Sequence, residues 1–160
     1  MPRGIPNKKP EAPTAVDAIL RVKRLHPLAQ IPKYQTTGAA CFDLHSVSDT
    51  MAIPAGQART VNIGLAFDIP DGHVLMVYSR SGLGFNHGLR LANGTGVVDS
   101  DFTGGVVVRL HNDSAELYAV HTGDRVAQAM LVKLPKVVLQ EVDTLAQTAR
   151  GASGFGSSGK

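Results

Sequence analysis

The sequence predicts an all-β protein, a sandwich or barrel of short strands, and three observations lead there. Val61, Ile63, Leu65, Phe67 and Ile69 alternate strictly with other residues, which is the two-residue period of a strand with one buried face. No stretch of about ten residues or more keeps the 3.6-residue period of an amphipathic helix. Turn-forming clusters recur between the apolar runs, at Ile53-Pro54-Ala55-Gly56, Pro70-Asp71-Gly72, Asn93-Gly94 and Gly123-Asp124.

The elements follow in order. Residues 1–17 carry Pro2, Pro6, Pro10 and Pro13 with little apolar surface, and are expected to form a flexible arm. The folded domain is expected over residues 18–145. From Ala18 to Leu25, Leu20 and Val22 alternate with Arg21 and Lys23, a strand with one wet face. Residues 26–37, with Pro27 and Pro32, read as a loop. Gly38 to Leu44 is a short apolar segment interrupted by Asp43. The alternating strand over 61–69 stops at Pro70-Asp71-Gly72, and residues 73–78 return as a mostly apolar strand. Ser79 to Gly84 has no strand pattern and reads as a short helical turn near Arg80–Phe85, whose hydroxyls and N–H groups would suit an anion.

Asn93-Gly94 between apolar residues predicts a tight β-hairpin near residues 89–102, because both residues tolerate positive φ. Its outgoing arm would carry Asp99. Gly105 to His111 and Leu117 to Val120 read as further strands. Val126, Gln128, Met130, Val132 and Leu134 are expected to share one face of a long strand, and Val137 to Val142 to form the last one. Residues 146–160, rich in Gly and Ser, are expected to form a flexible tail.

Composition narrows the function classes. An apolar content of 43% with 18% charged residues excludes a chain disordered throughout. Residues 1–24 hold six of the sixteen bases and only two of the thirteen acids, so the net charge of +3 describes the N-terminal arm. The folded body is close to neutral, which argues against nucleic acid as its partner. Cys41 is the single cysteine, so no internal disulfide forms, as suits a reducing compartment. No apolar h-region follows Met1 and no run approaches the roughly 18 apolar residues of a membrane span, so a cytoplasmic protein is expected.

The familiar catalytic patterns are missing. The histidines show no HExxH or zinc spacing, no GxxxxGK[ST] loop occurs, and no third group completes a Ser-His-Asp set. Each histidine reads as a surface or satisfied polar residue, and Cys41 as packing rather than a nucleophile. What remains is a series of small polar-plus-glycine motifs: Asp43, Arg80-Ser81, Asn93 to Phe102, Gly123 to Gln128, and the tail with Arg150 and Phe155. Arg80 and Arg150 suit bidentate contact with phosphates. Asp99 is either a solvated turn carboxylate or a general base held on a strand end. Phe155 either lies on the domain's own surface or stacks on a flat partner such as a base.

These motifs, in this order, resemble the five motifs of the trimeric dUTP diphosphatases (dUTPases). The match is close in Arg80-Ser81-Gly82-Leu83-Gly84, Gly96 to Gly104, Gly123 to Gln128 and Gly154 to Gly159. The resemblance implies a jelly-roll-like β-barrel and a homotrimer whose active sites are shared between subunits, with the tail closing as a lid. It implies hydrolysis of dUTP to dUMP and pyrophosphate, which keeps uracil out of DNA and supplies dUMP for thymidylate synthesis. Asp99 would be the general base. Arg80, Ser81, Gly82, Gln128, Arg150, Gly156, Ser157 and Ser158 would bind the phosphates. Asn93, Gly96, Val98, Phe102 and Phe155 would surround the uracil and deoxyribose. Mg²⁺ would be held mainly by the triphosphate, with Asp43 acting on it through water.

Four residues depart from the family pattern: Phe102 for Tyr, Cys41 for Gly, Ser79 for Pro, and Ser153 for a tail Gly. None removes a reacting group. Two other readings fit the same fold, a nucleotide-gated regulatory binding protein and a relative of the dCTP deaminases. The latter requires a carboxylate base at the cytosine ring, and none stands at a matching place.

Overall fold

The computed structural model describes residues 16–153. In chain order the elements are β1 (Arg21–Arg24), β2 (Phe42–His45), β3 (Met51–Ile53), β4 (Ala58–Asp68), β5 (His73–Tyr78), α1 (Ser81–His87), β6 (Leu89–Leu91), β7 (Thr95–Val98), β8 (Val106–Asn112), β9 (Tyr118–Val120) and β10 (Arg125–Lys133). All strand pairs are antiparallel. One sheet runs β1-β4-β8-β6, a second β2-β10-β5-β7, and β3 pairs with β9. The expected all-β, jelly-roll-like architecture with one short helical turn is what the chain forms.

The two larger sheets close on a single apolar core. Leu44 and Leu75 from the second sheet pack with Val61, Ile63, Leu65, Leu91 and Leu110 from the first, all at most 1% exposed. The strict alternation seen over 61–69 is the inward face of β4 and the residue just after it: Val61, Ile63, Leu65 and Phe67 on the strand and Ile69 beyond it are all buried. That alternation survives a bulge. Asn62 pairs with Val107 and Leu65 with Val106, so Ile63 and Gly64 are extra, and an insertion of two keeps the side-chain parity.

Gly64 sits in the bulge at φ +65, with its N–H bonded to Asn62 Oδ1 at 2.8 Å. Its carbonyl accepts from Leu25 N, which ties the end of β1 to the bulge. A Cβ here would meet His26 Cβ at 2.8 Å, Val47 Cγ2 at 3.0 Å and Ala29 Cβ at 3.1 Å. Asn112, fully buried, is the second tie. Its Nδ2 donates to Ile53 O and Glu116 O, while its Oδ1 accepts from Ser114 N and Oγ. All the bonding capacity of the amide is used, as burial of an Asn demands.

Four expectations are corrected. The Asn93-Gly94 turn forms, with Gly94 at φ +71, but it does not close a hairpin. β6 pairs with β8 and β7 pairs with β5, so the turn carries the chain from one sheet to the other. In β10, Gln128, Met130 and Val132 share one face as expected, but Val126 does not join them and Leu134 lies beyond the strand; the core face belongs to Ala127 and Ala129, both fully buried, with Leu131 packed against the core. A bulge between Arg125 and Ala127 lets Val126 be buried as well. Val137–Val142 forms no strand; Val138 and Leu139 are more than 90% exposed. The first strand is shorter than expected, four residues at Arg21–Arg24.

Gly64→Ala is expected to lower the unfolding free energy by about 2–4 kcal/mol, from left-handed backbone strain plus overpacking. Urea denaturation checks it, and an unchanged midpoint would contradict the role given to the bulge.

Candidate active site

Two clusters hold the motif residues, at opposite ends of the second sheet. The first gathers on its outer face. Asp43, Gln128 and Tyr78 are direct cross-strand partners on β2, β10 and β5, and therefore point the same way. Asp43 is buried, its side chain 9% exposed. Arg80 Nε donates to Asp43 Oδ1 at 2.8 Å, and Arg125 Nη1 donates to Oδ2 at 3.2 Å. Arg80 Nη1 also donates to the Arg125 carbonyl at 3.0 Å. Three of the five Arg80 N–H donors remain outside these bonds, including both on Nη2.

The link between β5 and α1 is tightened by Ser79. Its Oγ accepts from Leu91 N at 2.9 Å, and its carbonyl accepts from Gln128 Nε2 at 2.9 Å. The hydroxyl thus satisfies a strand N–H on β6 while the carbonyl orients Gln128. Arg80 follows in extended conformation (φ −92°, ψ 130°), and its carbonyl accepts from Leu83 N and Gly84 N at the start of α1. Ser81 and Gly82 lie exposed in that first turn. The helix ends at Gly88, which adopts φ +64 and donates to Gly84 O.

His45 and Cys41 border this cluster. Burial pushes the His45 pKa down, with Arg125 and Arg80 acting the same way and Asp43 opposing them. His45 Nδ1 is buried without a hydrogen-bond partner among the described residues, unlike the surface or satisfied histidine expected. Burial, followed by the charge of Asp43, pushes the Cys41 thiol up, which keeps it protonated and inert, as expected of packing.

The second cluster lies between β7 and β8. β7 is the edge of its sheet, bonded on one side to β5. On β8, residues Val106 to Val108 pair with β4, whereas β6 covers only Leu110 to Asn112 on the other side. Two unpaired backbone edges therefore face a cleft of about 590 Å³, lined by Gly96, Val97 and Val98 on one side and Val106, Val107 and Val108 on the other. Asn93 and Arg109 stand at its margin. A smaller cavity of about 250 Å³ continues the cleft to Asp99 and Phe102. Gly96 admits the close approach of β5: a Cβ there would lie 3.0 Å from Val77 Cβ. Asp99 is exposed, its carbonyl accepts from Phe102 N, and no side chain among the described residues bonds its carboxylate.

The strand register separates the clusters. Thr95 pairs with Tyr78, in the row of Gln128 and Asp43, and β7 runs away from that row to end at Val98 opposite Leu75. At about 3.3 Å per residue, Asp99 stands roughly 20 Å from Arg80 along β5. Asn93, Gly96, Val98, Phe102 and Asp99 are brought together; Arg80, Ser81, Gly82, Gln128 and Asp43 are brought together elsewhere. Arg150 joins neither, and donates from Nε to Ser153 O on the exposed C-terminal stretch. Phe155, Gly156, Ser157 and Ser158 lie outside the described residues.

Sequence reasoning missed Arg125, Ser79 as a hydrogen-bonding joint, and the free edge of Val106 to Val108. The first two lie inside or beside the quoted motifs, but their roles depend on partners far away along the chain. The third had a sequence signal, since Gly105 to His111 follows the Asp99 loop directly.

Comparisons with known proteins agree with this architecture. The dUTPase family model matches residues 28–159. The deoxyuridine 5'-triphosphate nucleotidohydrolase of Nautilia profundicola is 43% identical over 141 residues, covering 88% of this chain and 99% of that protein. The protein of the same name from Helicobacter hepaticus is 45% identical over 140 residues, covering 88% of each. Among solved structures, the dUTPase of Staphylococcus bacteriophage 80alpha with dUPNHPP matches with a TM-score of 0.81 at 25% identity, covering 89% of this chain and 99% of that one. With a family model spanning most of the chain and relatives this similar over nearly their whole length, the protein belongs to the dUTPase family.

Proposed function

We propose that this chain hydrolyses dUTP to dUMP and pyrophosphate, with Asp99 as general base, in active sites completed by a second and third copy in a homotrimer. The observation that carries the shared site is the separation of the two clusters. A base, its water and an amide holding the attacked phosphate must lie within about 10 Å of one another. In one chain Asp99 stands roughly 20 Å from Arg80 and roughly 13 Å from Gln128 by strand rise alone, with β5 lying between them. The phosphate-binding cluster of one copy must therefore meet the cleft and Asp99 of another. Val137 to Val142, whose Val137, Val138, Leu139 and Val142 are exposed, would supply apolar surface for such an assembly.

The cleft suits a uracil. Along an open strand edge the backbone groups run N–H, C=O, N–H, which complements the acceptor–donor–acceptor edge of that base. A cytosine amino group would face a donor and leave buried groups unpaired, and that mismatch discriminates strongly. The walls are valines, so a thymine methyl would have to displace packed side chains. Asn93 closes one end, and Phe102 at the other would pack under the deoxyribose.

At the phosphates, Asp99 would take a proton from a water aimed at the α-phosphorus. Gln128, oriented by the Ser79 carbonyl, keeps a second amide N–H for an α-phosphate oxygen. Arg80, fixed through Nε, offers its Nη2 edge to the phosphate chain beside the Ser81 hydroxyl and the Gly82 N–H. Arg150, Gly156, Ser157 and Ser158 would approach the terminal phosphates from the tail, with Phe155 over the base. Most of the rate would come from this alignment and charge stabilisation rather than from the base.

The family carries a metal requirement, and one relative in fold, a phage phi11 dUTPase variant, is described with a structural Mg(II) ion. Among the described residues no group of three His, Cys, Asp or Glu side chains could cage an ion, and Asp43 is already bridged by two guanidinium groups. These donors fit Mg²⁺ carried by the triphosphate, with Asp43 reaching it only through water on its remaining lone pairs. Bound so, the ion would neutralise charge on the phosphates. No described helix is long and apolar enough to cross a membrane, and a cytoplasmic location matches a nucleotide substrate.

Removal of the Asp43 carboxylate tests its first role, holding the arginines. Asp43→Ala is expected to cost about 1–3 kcal/mol of stability, less than a fully buried pair because Arg125 is half exposed. Unchanged stability in urea would show that the ion pairs do not order the cluster. For the reaction itself, pyrophosphate release in the presence of Mg²⁺ is expected from dUTP and not from dCTP, dTTP or UTP. Asp99→Asn is expected to slow it by about 10²–10⁴-fold. Ammonia release from dCTP, or full activity of Asp99→Asn, would overturn the assignment.

A further inference from the structure

The loop joining β7 to β8 places Gly104 beneath the ring of Phe102. A Cβ on Gly104 would lie 2.8 Å from Phe102 Cζ, 3.1 Å from Cε2 and 3.4 Å from Cε1. The backbone is not the reason for glycine here, because Gly104 is absent from the glycines that adopt positive φ. The three atoms nearest to that position all belong to the Phe102 ring, so the ring is the first thing a side chain here would meet. Phe102 needs that seat more than a tyrosine would, because it has no hydroxyl with which to anchor its far end. Its ring lines the cavity that leads to Asp99 and is 47% exposed.

We infer that Gly104 is a specificity-determining residue: its bare Cα seats the Phe102 ring, and the seated ring sets discrimination against a ribose 2′-hydroxyl. This rests on the reading of Phe102 as the surface under the deoxyribose. A side chain at 104 would have to push the ring away, since a carbon–carbon approach of 2.8 Å is well inside the roughly 3.5–4.0 Å of optimal contact. The ring is the half-exposed end of a flexible side chain, so it moves and the fold stays. The displaced ring no longer fits closely against the sugar, and a gap for one extra oxygen opens.

The test is a double-mutant cycle in the full-length protein, with kcat/KM measured for dUTP and for UTP. Gly104→Ala is expected to lower the dUTP-over-UTP preference by about 10-fold or more. In a Phe102→Ala background the same change is expected to have less than about a 2-fold effect, because no ring remains to be moved. Gly104→Ala with the wild-type preference would overturn the inference. So would an equal loss in both backgrounds, which would make Gly104 a backbone requirement. If Phe102→Ala alone keeps the wild-type preference, the placement of Phe102 under the sugar fails first, and the role of Gly104 fails with it.

Discussion

A carboxylate withdrawn from water must be paired, and much of the Arg80–Gln128 end of this molecule follows from that one requirement at Asp43. Its two oxygens take Arg80 Nε and Arg125 Nη1, from segments far apart in the chain. β2, the start of α1 and the start of β10 are thereby drawn to one point. An ion pair of this kind adds little net stability, because desolvation offsets much of the attraction. What it supplies is geometry. With Nε committed, the Arg80 plane is fixed and its free edge has one direction. Ser79 extends the order to Gln128 through its carbonyl and to β6 through its hydroxyl. A proline at 79 would lack that hydroxyl, so the serine makes a joint that the more usual residue does not.

The other end of the sheet is built on the opposite principle. There the chain leaves hydrogen-bonding groups unpaired, on β7 and on the first half of β8. Open strand edges are normally a liability, since they invite pairing with another chain. Here they face each other across a cleft lined with valine, and a base edge is the partner proposed for them. The register that builds this cleft also carries Asp99 away from Arg80. On the proposed reading each cluster is half of a nucleotide site, and assembly with another copy would bring the two halves together.

How much of this was legible in the sequence depends on the range of the interaction. β4 was plain from its alternation, and the two-residue bulge at Gly64 left that signal intact. The turns at Gly56, Gly72, Gly94 and Gly123 were plain from local chemistry, and each adopts positive φ. Partners were not legible. Asn93-Gly94 announces a reversal of the chain but says nothing about which strand receives it, and the two arms went to different sheets. In β10 the shared face of Gln128, Met130 and Val132 was legible, but the bulge between Arg125 and Ala127 that turns Val126 into the core was not. Val137 to Val142 looks like a strand because it is apolar, but a strand also needs a neighbour, and its own chain offers none. The pairing of Asp43 with Arg125 joins positions 82 residues apart and left no mark on local pattern. The role of Asp99 came from family resemblance, since its carboxylate has no side-chain partner among the described residues that would single it out.

The central claim is that Asp99 and Arg80 serve the same reaction from different copies of the chain. Mixing two inactive variants measures it most directly. Asp99→Asn and Arg80→Ala chains, unfolded together in equal amounts and refolded, should regain dUTP hydrolysis that neither shows alone. Random assembly leaves about a quarter of the shared sites with both residues intact. A mixture that stays as inactive as its parents, beside a wild-type control that refolds to full activity, would mean that each chain completes its own site.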